Sequence, residues 1–226
     1  MMNEGIRLLK RGQYDRALAH LLGLKVDSDE YPELSYYLGL CYTHLEKFDE
    51  ALLHLEQVVS SELSFTHVYQ SRMILGYIYA VTGRFRLAEF EFRKILEDGF
   101  DSAKTHAALA YVLYEQKDLD GAVEELEHAL KLDPDNSNAL NSLGFLLVES
   151  ERDPRKGLEY CRRAVRRQPR NAAYLDSLGW AYFKIGRLEE AKETLRSALD
   201  AAPGNKEIAN HLRRVKRGSH DGESST

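Results

Sequence analysis

Cysteine is nearly absent. Only Cys41 and Cys161 occur among 226 residues, far apart and in no CxxC or Cys/His spacing, which excludes a disulfide framework and a zinc site. Proline is scarce too, at five, while Ala, Leu, Glu and Arg are plentiful, and that balance favours helix. No run of about 18 apolar residues is present, so no membrane span is expected. Nor does an apolar leader open the chain, since Glu4, Arg7 and Lys10 already stand in the first ten residues. The chain therefore reads as soluble and cytoplasmic. Its net charge of −5 is too mild to point to nucleic acid or to an anionic membrane.

Catalytic patterns are lacking as well. The eight histidines are scattered and form no H-E-x-x-H, and neither a Gly-rich phosphate loop nor G-x-S-x-G occurs. The carboxylates are interleaved with Lys and Arg, as on solvated helix faces. No catalytic residue, cofactor or metal is expected, and the two cysteines fall on core-facing columns as small buried hydrophobes.

What is present is a repeat. An aromatic or Leu, two intervening residues and then Ala recur as Tyr14 to Ala17, Phe48 to Ala51, Phe85 to Ala88, Leu119 to Ala122 and Leu188 to Ala191. The intervals between these alanines are 34, 37, 34 and 69 residues, and the last holds a degenerate copy ending at Gly157. Twelve or thirteen residues upstream runs a small column: Gly5, Gly39, Gly76, Ala110, Gly144 and Gly179. A large residue follows each of these three positions later, from Leu8 through Tyr182. Three copies end in Pro134, Pro169 and Pro203, each followed two residues on by Asn136, Asn171 or Asn205.

Apolar residues within each copy fall at i, i+3, i+4 and i+7, the period of an amphipathic helix. Glycine inside a helix costs roughly 1 kcal/mol relative to Ala, so five at matched spacing imply a packing role. Small column against small column would let two antiparallel helices approach closely. Each Pro-x-Asn ends one helix and caps the next. Three extra residues within 60–66 predict a longer turn between copies two and three, and Pro154 should open the second helix of copy five.

The pattern Leu-Gly-x-x-Tyr, then Gly-x-Phe/Leu-x-x-Ala, then Ala-Leu…Pro resembles the tetratricopeptide repeat, most closely over 174–203. The resemblance covers residues 3–217 and implies an all-α, right-handed superhelical solenoid of antiparallel helix pairs. Copies lie at about 1–30, 31–64, 68–101, 102–135, 136–170 and 171–204, with a capping helix at 205–217 and a disordered tail at 218–226.

The resemblance further implies a concave side lined by the first helix of each copy. The residue after the small column would point there: Ile6, Leu40, Tyr77, Tyr111, Phe145 and Trp180. Neighbouring positions add Tyr36, Tyr37, Met73, Tyr114 and Phe183. Two readings of this apolar row stand side by side: a groove for a protein or peptide partner, and aromatics that only pack neighbouring helices. Family members that clamp a C-terminal carboxylate use Lys, Asn and Arg on these rows. Here Lys10, Asn141 and Lys184 are too dispersed for that.

Charge is uneven: residues 101–135 carry nine acids and three bases, residues 152–170 eight bases and two acids. Arg162, Arg163, Arg166 and Arg167 read as one basic patch, taken either as a solvated face paired with its acidic neighbour or as a docking surface. Nucleic acid is not expected, because no aromatics interleave with these arginines. The function expected is a non-enzymatic adaptor or scaffold holding a partner polypeptide. The alternative is a scaffold that self-associates into a homo-oligomer through end faces and unlike charged patches.

Overall fold

The structure, a computed structural model, describes residues 2–61 and 63–223. The described residues form thirteen α-helices and no strand: α1 (Met2–Lys10), α2 (Tyr14–Leu22), α3 (Tyr31–His44), α4 (Phe48–Val59), α5 (Phe65–Val81), α6 (Phe85–Glu97), α7 (Ala103–Glu115), α8 (Leu119–Leu132), α9 (Ser137–Glu149), α10 (Pro154–Arg167), α11 (Ala172–Lys184), α12 (Leu188–Ala201) and α13 (Lys206–Glu223). This is an all-α helical-repeat solenoid.

Its contacts gather into two compact units, where the sequence reads as one array. The first is Met1–Asp101 with Tyr111–Lys117; the second is Ser102–Ala110 with Asp118–Thr226. Within the first, α1 pairs with α2, α3 with α4 and α5 with α6, while α2 also packs on α3 and α4 on α5. The second unit repeats this scheme with α9 and α10, then α11 and α12, followed by α13 against α12 and α11.

The small column works differently from the expected small-against-small contact. The alanines Ala17, Ala51, Ala88 and Ala191 are fully buried, but the space at each glycine is filled by the large residue one turn after them. A Cβ on Gly5 would lie 2.6 Å from Leu21, one on Gly39 2.7 Å from Leu55, one on Gly76 2.5 Å from Phe92, and one on Gly179 2.6 Å from Leu195. Glycine thus makes a hole, and the facing helix supplies the knob. Copy five is the exception, because its second column holds Gly157 and then Cys161. There the backbones themselves meet: a Cβ on Gly157 would stand 2.7 Å from the Gly144 carbonyl oxygen, and one on Gly144 2.9 Å from the Cys161 nitrogen.

Helix ends follow their local chemistry. The Asn136 side chain accepts from the Ala139 N–H at 3.0 Å, Asn171 from Ala173 and Tyr174 at 3.1 and 3.2 Å, and Asn205 from Glu207 and Ile208 at 3.0 and 3.2 Å. Pro154 opens α10, where the Asp153 carboxylate caps the Lys156 N–H at 3.0 Å. The three extra residues before copy three do not lengthen a turn. They are absorbed into α5, which begins at Phe65 because Phe65 and Tyr69, one turn apart, both stack on Phe100 at 3.9 and 4.5 Å. The capping helix likewise outruns its expected end at 217. No proline interrupts 206–223, and α13 continues to Glu223, so the tail expected at 218 starts as helix; 224–226 lie outside the described residues.

One buried polar group needs its partner. The Glu91 carboxylate on α6 receives a 2.8 Å hydrogen bond from Arg72 on α5, and both are largely buried. Burial holds Glu91 above the usual carboxylate range, and the Arg72 guanidinium offsets this only in part.

The glycine geometry sets a contrast. In urea unfolding followed by circular dichroism, Gly144→Ala should lose about 2 kcal/mol, since overpacking against backbone exceeds the roughly 1 kcal/mol gained from helix propensity. Gly23→Ala should be neutral or stabilise by up to about 1 kcal/mol, because its φ is −79° and the nearest atom to a Cβ lies at 3.5 Å.

Candidate functional site

The expected groove row separates into exposed and buried members. In the first unit, Tyr77 on α5 and Tyr111 on α7 are 52% and 51% exposed, although both are large aromatics. Val81, one turn after Tyr77, is 50% exposed and was absent from the sequence-derived set; its i+4 spacing from Tyr77 is the signal that marks it. Leu40, Met73, Tyr37 and Tyr114 are half-buried. Tyr37 packs on the Leu8–Leu38 core, and the Lys117 ammonium sits 5.6 Å from the Tyr114 ring. Burial first, then the Glu115 carboxylate, holds the Tyr111 phenol above its ordinary range, so the hydroxyl remains a neutral donor.

Tyr36 departs from the expectation. It is buried, donates its hydroxyl to Gln70 on α5, and meets the His67 ring edge-on at 4.6 Å. A residue that bridges α3 to α5 in this way is a packing element and is not offered to a ligand.

Trp180 departs further. It is 1% exposed in the second unit, embedded with Val148, Leu158, Cys161 and Leu178. Its indole N–H donates to the Glu149 carboxylate at 2.7 Å. From α13, His211 stacks on the ring at 4.5 Å and the Arg214 guanidinium lies 4.6 Å from its centroid. His211 is itself held by the Asp176 carboxylate at 2.9 Å. The terminal helix thus covers the row at this position. Phe183 packs against Trp180 at 5.1 Å, and Phe145 lies against the same cluster; both are half-buried.

The basic patch is dispersed and largely engaged. Arg162 turns to α11, donating to the Tyr182 hydroxyl at 3.2 Å, whereas Arg163 donates to the Pro134 carbonyl at 2.6 Å. Arg167 pairs with Asp135. Arg152 pairs with Asp120 at 2.7 Å, and Lys156 lies 3.9 Å from Glu127. Three bases of copy five, Arg152, Lys156 and Arg167, thus pair with acids of copy four within the second unit. Of the four arginines, Arg166 alone is exposed with no partner among the described residues.

The outer helices hold a feature that sequence reading missed. Two positions after the alanine column stand Ala19, Leu53 and Phe90 in the first unit but Glu124, Glu159 and Glu193 in the second. Leu53 is 60% exposed and Phe90 53%. Aligning the copies by that column and comparing one solvent-facing position along them reveals it.

Chemistry at the cysteines is suppressed. Burial pushes the Cys41 thiol up to about 11 and Cys161 to about 12, so neither is a thiolate at neutral pH. Among the described residues, no group of three or more His, Cys, Asp or Glu could hold a metal ion, and no helix is long and apolar enough to cross a membrane.

Comparison with known proteins bears on this geometry. The tetratricopeptide repeat family model matches residues 2–63 and 146–206, more than half of the chain, and a TPR repeat model matches 110–150. A TPR repeat-containing protein of Pseudomonas aeruginosa is 34% identical over 97 residues, 43% of this chain and 16% of that protein. The chain spans from 12% to 50% of the length of the curated relatives it matches. Among solved structures, a chain of the APC/C hetero-tetramer Cut9-Hcn1 aligns with TM-score 0.77 at 12% identity, covering 95% of this chain and 42% of that one. YrrB, described as a TPR protein with an unusual peptide-binding site, aligns with TM-score 0.61 at 18% identity over 88% of this chain and 97% of its own.

Burial sorts the row by its expected effect on stability. Trp180→Ala should cost about 3 to 5 kcal/mol of stability, whereas Tyr77→Ala and Tyr111→Ala should each cost about 1 kcal/mol or less. Thermal melts of the three variants check this.

Proposed function

We propose, from the premise that this chain belongs to the tetratricopeptide repeat family, that it acts by holding a segment of another polypeptide against its first helices, and not by catalysis. The observation that carries this reading is the exposure of Tyr77 and Tyr111, together with that of Val81 one turn after Tyr77. A tyrosine that served only to pack neighbouring helices would be buried, as Tyr36 is. Two half-exposed rings offer large, rigid contact area at low entropic cost, the kind of anchor that dominates binding energy at interfaces.

The chemistry of the row limits the occupant. Leu40, Met73, Tyr77, Val81 and Tyr111 are uncharged, which suits an apolar or aromatic stretch of chain. Trp180 and Tyr36 are withdrawn from the proposed site, leaving Tyr37, Leu40, Met73, Tyr77, Tyr111 and Tyr114 in the first unit. Phe145 and Phe183, half-buried in the second unit, are not part of this site.

Self-association through the unlike charged patches of copies four and five is not proposed, because Arg152 and Arg167 of copy five already pair with Asp120 and Asp135 of copy four. RNA is not proposed either, since the aromatic among these bases, Tyr160, is half-buried and already has Lys156 and Arg163 each 5.8 Å from its ring.

Affinity capture from lysate, with quantitative mass spectrometry, tests the reading. A Tyr77→Ala/Tyr111→Ala double variant that melts within a few degrees of the unaltered chain should lose at least about tenfold of its captured partners, as the loss of one anchor of about 1.4 kcal/mol would give. An unchanged capture profile from that folded variant would remove the row as the site.

A further inference from the structure

The outer helices of copies two and three carry large apolar side chains that are about half exposed. Leu53 on α4 is 60% exposed, and on α6 Phe90 is 53% and Leu87 47% exposed. A single such residue is ordinary on a protein surface. Here Leu53 and Phe90 hold one register position in successive copies, where copies four to six place Glu124, Glu159 and Glu193. The two helices lie side by side at their N-terminal ends. Arg84, the residue before α6, sits 3.7 Å from Asp49 in the first turn of α4.

The charges around these residues are sorted by helix. Asp49, Glu50 and Glu56 stand three or four positions from Leu53, which places them beside it on the helix surface. Helix α4 contains no Lys or Arg. On α6, Arg86, Arg93 and Lys94 stand at the same spacings from Phe90. Among the described residues, none of these acids pairs with any of these bases. The Glu50 and Arg86 side chains are exposed and have no partner there at all. Arg93 and Lys94 pair with Glu89 and Glu97 of their own helix at 2.8 and 2.6 Å, exposed contacts of the kind that contribute little.

A partner of uniform charge would be repelled by one helix or the other, whereas this chain carries the complement itself. A two-fold axis between α4 and α6 would lay the acid-flanked Leu53 of one chain against the base-flanked Phe90 of a second copy, and would do so twice. We propose that the outer faces of copies two and three join two copies of this chain in a dimer. Leu53, Leu87 and Phe90 form its centre, and the unlike charges form its rim. Tyr77 and Tyr111, on first helices, take no part in it. An anionic lipid surface or a nucleic acid is a poorer fit, because either would meet the three acids of α4.

Sedimentation velocity of the full chain, from about 1 to about 100 μM, reads the association. The mass should rise with concentration from the 25.9 kDa of one chain toward twice that value. L53S with F90S should weaken the dimer at least about tenfold, because the apolar centre is lost. Charge reversal then separates a second copy from any other occupant. D49K with E50K on α4 should leave a monomer, and so should R86E with R93E on α6, since each makes the facing helices alike in charge. Mixed together, those two monomeric variants should form a dimer, because both contacts are then opposite in charge again. Melting within a few degrees of the unaltered chain shows that each variant is folded. The Tyr77→Ala/Tyr111→Ala variant should dimerise as the unaltered chain does, which keeps this result separate from the fate of the tyrosine row. The proposal is overturned if the chain is a monomer throughout that range, if L53S with F90S leaves a dimer intact, or if the mixed variants stay monomeric. A monomer whose L53S/F90S variant loses binding to phosphatidylserine vesicles, or to a lysate protein, has another occupant on this face, and that overturns it equally.

Discussion

In four of the six copies, the close approach of the paired helices depends on a hole made by glycine and a knob that fills it. A helix pair held by leucine on leucine would stand apart by the width of both side chains. Deleting one Cβ lets Leu21, Leu55, Phe92 or Leu195 drop onto the opposing backbone, and those residues are almost wholly buried as a result. Each hairpin so formed presents two fresh faces, one to the hairpin before and one to the hairpin after. Repetition then extends the core without enlarging any single layer of it.

Much of this was legible in the residues because steric fit leaves a periodic trace. The helix pairs, the Asn caps and the opening of α10 at Pro154 all follow from local spacing and cap chemistry. The identity of the knob did not. The alanine column is conspicuous in sequence because it is small, yet the side chain that enters the hole lies one turn later and looks like any other core leucine. The extra residues before copy three misled for a related reason, since an insertion reads as a loop unless its own apolar spacing continues the helix, as Phe65 and Tyr69 do.

The candidate surface was legible only as a register. The position after the small column groups Tyr77, Tyr111 and Trp180 by spacing alone, whereas the exposure of each depends on what packs against it. At Trp180, α13 brings His211 and Arg214, which close over the ring. A distant partner of this kind leaves no mark in local sequence. The arginines of α10 were similarly ambiguous, because a run of like charge looks the same whether its counter-charges stand on the preceding copy or on another molecule. The structure divides them: Arg167 pairs with Asp135 of the preceding copy, Arg163 donates to the Pro134 carbonyl, Arg162 donates to the Tyr182 hydroxyl, and Arg166 stands exposed.

The placement of that ring has a spectroscopic corollary. It belongs to the chain's one tryptophan, and its indole touches the terminal helix, the Glu149 carboxylate and the Val148–Cys161 core at once. Its fluorescence is therefore a natural reporter for the second unit, quenched or shifted whenever the last helix lifts. Copies one to three contain only tyrosine and phenylalanine, so they are dark at the red edge of excitation. The molecule thus carries an optical label that distinguishes the loosening of its two halves without any dye.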